Sequence, residues 1–117
     1  LERLLGVIGS PAYPPERQRL QQRLEETVRR AFRPAGTARQ IAAIAADGDR
    51  SARVAQIQTR TLVIHGDADP LVPVAAGHDL VRRIRGARGD FIPGMGHDLP
   101  LQLLERYAEG ISGIARG

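Results

Sequence analysis

Thr61, Leu62, Val63, Ile64 and His65 form a compact, mostly apolar and β-branched run that Gly66 closes. Because the run shows no alternation of polar and apolar positions, it reads as a buried parallel strand rather than as an alternating surface strand. A parallel strand needs a neighbour reached through a crossover, so the sequence after it has to supply a helix and then a second strand.

The downstream residues meet that demand. Asp67, Ala68, Asp69 and Pro70 make a turn-rich stretch. Over residues 74–84 the spacing becomes helical, with Leu80, Val81 and Ile84 inward and Arg82, Arg83 and Arg85 outward. Past residues 86–89, Asp90, Phe91 and Ile92 predict a short strand ended by Pro93 and Gly94, and a final helix is expected from about residue 100 to 111, with Pro100 suited to its first turn. The order is strand, loop, helix, strand, loop, helix. A right-handed crossover sets the strands parallel and brings both post-strand loops to one carboxyl edge, where open α/β sheets bind ligands.

The upstream half reads differently. Residues 1–7 are a short apolar segment, and Gly9, Ser10, Pro11, Tyr13, Pro14 and Pro15 forbid a regular element. Residues 16–32 predict a helix with Leu20, Leu24, Val28 and Phe32 on one face, stopped by Pro34 and Gly36. Thr37 is expected to cap a second helix, with Gln40 as its capping-box partner and Gly48 at its end, and Ser51 to start a third. Much of the 42% apolar content is alanine, so these helices bury little area and need something larger to lie against. The chain of 117 residues fits one domain or a piece of one, and its start at Leu1 points to a longer parent.

Composition removes several chemistries. Cysteine is absent, which excludes disulfides and thiolate nucleophiles. No apolar run approaches a membrane span and no leader is visible, so a soluble, cytoplasmic protein that does not engage a membrane is expected. The 17 basic residues are all arginine, giving a net charge of +4, yet they are scattered and no aromatics interleave with them; a solvated surface is expected rather than a nucleic-acid footprint. There is no His-Glu-x-x-His pattern or close ligand pair for a metal, and no glycine-rich phosphate loop, so neither metal nor cofactor is expected.

Two residues stand out for chemistry. Asp69 in the first loop and His97, between Gly96 and Asp98 in the second, are 28 positions apart but leave the same sheet edge. Brought together, a carboxylate fixes the tautomer of an imidazole and steadies its protonated form. The structural alternative stands beside it: an aspartate capping its own turn and a merely exposed histidine. His65 reads as a packing residue, His78 as surface, and Asp98 as a helix cap or loop-orienting residue.

The stretch from Thr61 through His65, Gly66, Asp67, Asp69 and Pro70 to Pro73, followed by Gly94, Met95, Gly96 and His97, resembles the C-terminal third of α/β-hydrolase fold enzymes. The resemblance implies an α/β fold read as the C-terminal fragment of that architecture: a helical cap segment over residues 1–52, then β-α-β-α with parallel strands over residues 53–117. By position it makes Asp69 the acid and His97 the general base of a catalytic triad, and Asp67 the variable residue of its turn. Ser10, Pro11, Tyr13, Pro14, Gly48, Asp49 and the run from Gly94 to Pro100 further resemble a bacterial subgroup of small-ester hydrolases, the aclacinomycin methylesterase type.

Two departures qualify it. Arg60 stands where the family often has proline, and the nucleophile motif Gly-x-Ser-x-Gly is absent, since Gly110, Ile111, Ser112, Gly113, Ile114 fails at its last position and lies after the histidine. The expectation is therefore the acid and histidine portion of a serine hydrolase of small-molecule esters, completed by a missing N-terminal part or partner chain that carries the nucleophile. Alternatives are an aspartate-nucleophile relative such as an epoxide hydrolase or haloalkane dehalogenase, and a non-catalytic module whose exposed sheet edge is covered by a partner or by a second copy.

Overall fold

The computed structural model describes residues 6–116; the apolar segment expected over residues 1–7 falls largely outside them, and only its end, in the helical residues 6–8, is described. Five further helices and two strands follow: α1 (Arg17–Ala31), α2 (Pro34–Asp47), α3 (Ser51–Val54), β1 (Leu62–Gly66), α4 (Val74–Arg83), β2 (Arg88–Ile92), and a 3-10 turn at Leu101–Leu103 leading into α5 (Leu104–Arg116).

β1 and β2 pair in parallel, with Leu62 opposite Arg88 and Gly66 opposite Ile92. Strand β2 starts two residues earlier than expected because Arg88 and Gly89, poor in strand propensity, are recruited by the ladder, as in the Arg88 N–H donation to Thr61 O at 3.0 Å. Side chains alternate between faces. His65 and Phe91 face α4, where Gly77 lets the helix backbone approach both. Leu62 reaches toward Gly110 of α5, and Asp90 pairs with Arg106 of the same helix. The sheet is thus covered by one helix on each face, as a parallel pair requires.

The α/β half contains the core. Ile92 is fully enclosed at 0% exposure and packs with Met95, Leu103 and Tyr107, with Tyr13 and Ile64 at the margin. The Tyr107 hydroxyl donates to Met95 Sδ at 3.3 Å, which satisfies the one polar atom of a buried ring. His78, on α4, is exposed but stacks on Phe91 with centroids 3.8 Å apart, so its ring covers one face of that side chain.

Helices α1 and α2 stand away from this core and contain no buried residue. Phe32 is 73% exposed, on a face whose periodicity called for burial, and Ile44 of α2 is 65% exposed. The radius of gyration, 16.2 Å, exceeds the roughly 13 Å of a compact chain of this length, as a protruding helical arm demands. The second helix begins at Pro34, where Thr37 had been the expected cap. Proline has no amide hydrogen to leave unpaired and its φ suits a first helical position, so it starts α2 instead of only stopping α1. Gly48, at φ 63°, ends α2 as expected. No helix among the described residues is long and apolar enough to cross a membrane.

Candidate active site

Asp69 lies in the loop that leaves β1, and the backbone there is bent so that its carboxylate caps the turn it belongs to. One oxygen, Oδ1, accepts the N–H of Leu71 at 2.8 Å and of Val72 at 2.9 Å. The other, Oδ2, sits 2.8 Å from Nδ1 of His97. The two readings of Asp69 are therefore compatible, because a carboxylate has acceptor capacity for the turn and for an imidazole at once.

Burial and proton affinity shape the pair. The Asp69 side chain is 6% exposed and that of His97 44%. Burial pushes the Asp69 carboxyl upward, but the Val72 amide, the His97 ring and the Leu71 amide all donate to it, and the net effect holds it below the usual carboxylate range. An ionised acceptor requires Nδ1 of His97 to be the donor. The neutral ring then carries its lone pair on Nε2, which has no hydrogen-bond partner among the described residues.

Main-chain contacts fix where the two loops meet. The Met95 carbonyl occupies the space that a Cβ on Gly66 would need, so only glycine at the end of β1 permits this approach. Ala68 N–H donates to Met95 O at 3.1 Å, and Asp67 N–H to Ile92 O at 3.2 Å. The Asp67 carboxylate accepts the Gly94 N–H at 2.7 Å, which makes Asp67 a tie between the acid loop and the histidine loop. The family resemblance implied for Asp67 only the variable place in its turn. The signal available was a short acid immediately past a strand, facing a glycine-rich loop.

A third segment, residues 8–12, closes over the histidine loop. Ile8 O accepts the His97 N–H at 2.7 Å, Ser10 Oγ accepts the Gly96 N–H at 2.8 Å and donates to Asp98, and Ala12 N–H donates to Gly94 O at 3.1 Å. A Cβ at Gly96 would overlap the Gly9 carbonyl. Asp98 thus orients the loop through Ser10 and does not cap the terminal helix, whose preceding turn is entered through Pro100.

A cleft of about 660 Å³ opens beside this arrangement, between α1 and the stretch that follows His97. Leu20 and Leu24 face Leu99, Pro100 and Leu101 across it, and Tyr13 lies at one end. His65 is held apart from the site, with its Nδ1 2.8 Å from Gly66 O and its ring against Gly77, and the His78 ring is stacked on Phe91. No group of three or more His, Cys, Asp or Glu side chains able to hold a metal ion occurs among the described residues. Chemically, the arrangement can accept a proton at Nε2 of His97 and stabilise the resulting charge through Asp69.

No family model matches the chain. Among curated proteins, the rhodomycin D methylesterase DauP of Streptomyces sp. (strain C5) is 40% identical over 67 residues, which is 57% of this chain and 22% of that protein. The chain therefore spans less than a quarter of the length of this relative.

Proposed function

We propose that this chain is the C-terminal part of a serine hydrolase of the α/β-hydrolase type, in which Asp69 is the orienting acid and His97 the general base for cleavage of a small-molecule carboxylic ester. The observation that carries the reading is the 2.8 Å contact between Asp69 Oδ2 and His97 Nδ1, made by a carboxylate locked on its other oxygen and an imidazole with Nε2 unengaged among the described residues. The similarity to a methylesterase supports the same class of reaction.

The nucleophile is placed on a portion of the protein outside this chain. As its hydroxyl oxygen bonds to the ester carbonyl carbon, Nε2 of His97 takes the hydroxyl proton, and Asp69 stabilises the imidazolium. His97 then returns that proton to the departing alcohol as the carbon–oxygen bond breaks. In the second half it takes a proton from water as the water oxygen bonds to the acyl carbon, and gives that proton to the nucleophile's oxygen as the acyl–enzyme bond breaks and the acid leaves. The cleft beside α1 combines an apolar wall of Leu20, Leu24, Leu99 and Pro100 with the charged side chains of Arg19, Arg23 and Asp98, and its apolar wall suits an apolar acyl or alcohol portion. Residues 1–52 act in this reading as a cap and residues 53–117 as part of the catalytic core.

The test is hydrolysis of a chromogenic short-chain ester by the chain joined to its nucleophile-bearing portion. His97→Ala is expected to lower kcat by about 10⁴-fold or more with the unfolding midpoint preserved. Undiminished turnover by that variant would remove His97 from the mechanism and the reading with it.

A further inference from the structure

Ser10 is the one polar or charged residue among those described as buried, at 4% exposure, and the catalytic chemistry proposed above gives it no task. Its hydroxyl is committed on both sides of His97. It accepts the Gly96 N–H at 2.8 Å and donates to the Asp98 carboxylate, so it bonds to the residue before the histidine and to the residue after it. The intervening amide, that of His97 itself, donates to Ile8 O at 2.7 Å. Three consecutive residues of the histidine loop are therefore held by a segment 86 to 89 positions away in the chain.

We propose that Ser10 is a positioning residue for His97, a clasp that fixes the main chain on either side of the histidine and thereby holds its ring against Asp69. This rests on the reading of His97 as a general base for its consequence in turnover, but not for its structural content. A hydroxyl is suited to the place because it can give one hydrogen bond and accept another in the space of one small side chain. Alanine leaves the buried Gly96 amide and the Asp98 carboxylate without that partner. The loop then keeps Gly94 tied to Asp67 and the His97 N–H on Ile8 O, while the main chain on either side of the histidine loses its side-chain anchor.

The segment that bears Ser10 runs directly into α1. Ala12 N–H reaches Gly94 O, and Gln102 Nε2 donates to Pro14 O at 3.0 Å, so the same chain that clasps the histidine loop enters the helix lining the cleft. The position of the base and the wall of the cleft are set by one continuous strip of backbone.

The decisive measurement is proton NMR of the ring Nδ1–H of His97 in this chain, with His97→Ala identifying the signal, together with hydrogen exchange at the Gly96 amide. Ser10→Ala is expected to broaden or remove the ring signal and to speed Gly96 exchange at least about tenfold, while the Leu71 and Val72 amides on Asp69 keep their protection. Ser10→Thr, which retains the hydroxyl, is expected to restore the ring signal. An unchanged ring signal in Ser10→Ala overturns the proposal. If Ser10→Ala does not fold, Asp98→Leu decides in its place: it keeps the approximate side-chain shape but removes the acceptor of the Ser10 hydroxyl, and an unaltered His97 ring signal there is equally fatal.

In the chain joined to its nucleophile-bearing portion, Ser10→Ala is expected to reduce kcat by about 10²-fold at nearly constant KM, the cost of displacing a base by a fraction of its reach. The two readings fail separately. Activity retained by His97→Ala removes the catalytic role and leaves the clasp, whereas a ring signal indifferent to Ser10→Ala removes the clasp and leaves the catalytic role.

Discussion

The carbonyl oxygen of Met95 lies where the Cβ of any residue other than glycine at position 66 would have to be. The end of β1 and the loop after β2 are in direct main-chain contact at that point, and Ala68 N–H closes the same contact with a hydrogen bond to Met95 O. Gly66→Ala is therefore expected to push the histidine loop away from the acid loop and to cost about 1–3 kcal/mol, as overpacking does. Gly113→Ala, where a Cβ meets only the end of the Arg88 side chain at 3.7 Å, serves as the tolerated comparison. Denaturant unfolding of the two variants measures the difference.

Asp67 is the polar counterpart of that contact. Replacing it with alanine frees the Gly94 N–H and is expected to cost about 1 kcal/mol, the net worth of one hydrogen bond, with faster hydrogen exchange confined to the Gly94 region. Asn at the same position keeps a carbonyl oxygen in place and is expected to recover most of the loss.

Acid should weaken this fold through identifiable carboxylates. The Arg106 guanidinium holds Asp90 below its ordinary value, and hydrogen bonds outweigh burial to do the same for Asp69. A group whose affinity for protons is lower folded than unfolded contributes stability above its unfolded pKa, about 3.9 for Asp, and that contribution disappears as pH falls through the folded value. Thermal midpoints are expected to be flat from neutral pH to about 5 and to decline below about 4. Asp69→Asn and Asp90→Asn should each flatten part of that decline; a slope identical to the parent in both would show that other groups carry it.

Burial divides the two halves of the chain energetically. Ile92→Ala, in the only fully enclosed large side chain among the described residues, is expected to cost about 2–5 kcal/mol. Ile44→Ala, on the exposed face of α2, is expected to change stability by less than about 0.5 kcal/mol in this chain. A similar cost for both would mean that the α2 face is covered in solution.

The parts of the fold that local pattern specifies were legible in the sequence. The apolar run at β1, the helical spacing of α1 and α4, and Gly48 as the end of α2 each follow from a property that one short window contains. Asp69 and His97 were also within reach, because two parallel strands carry their following loops to one edge. What local pattern could not express was Ser10, whose partners lie 86 to 88 positions away and whose surroundings look like an ordinary proline-rich breaker. Pro34 was misread as only a stop, since a proline that ends one helix also favours the start of the next. The apolar stripe of α1 through Val28 and Phe32 was legible as a face intended for burial, but periodicity does not say what buries it.

The parallel register, Gly66 opposite Ile92, has a consequence for how such a site tolerates change. The distance from acid to histidine is set by the two strands ending level, and not by the number of residues between them. Added or lost residues in the turn around Gly86 would alter the numbering of everything downstream and leave the 2.8 Å contact where it is. A slip of one step along the ladder, about 3.3 Å, would instead carry the histidine loop past its acid and turn Phe91 and Ile92 to the wrong faces. Length in the connection is free to drift, whereas phase between the strands is not.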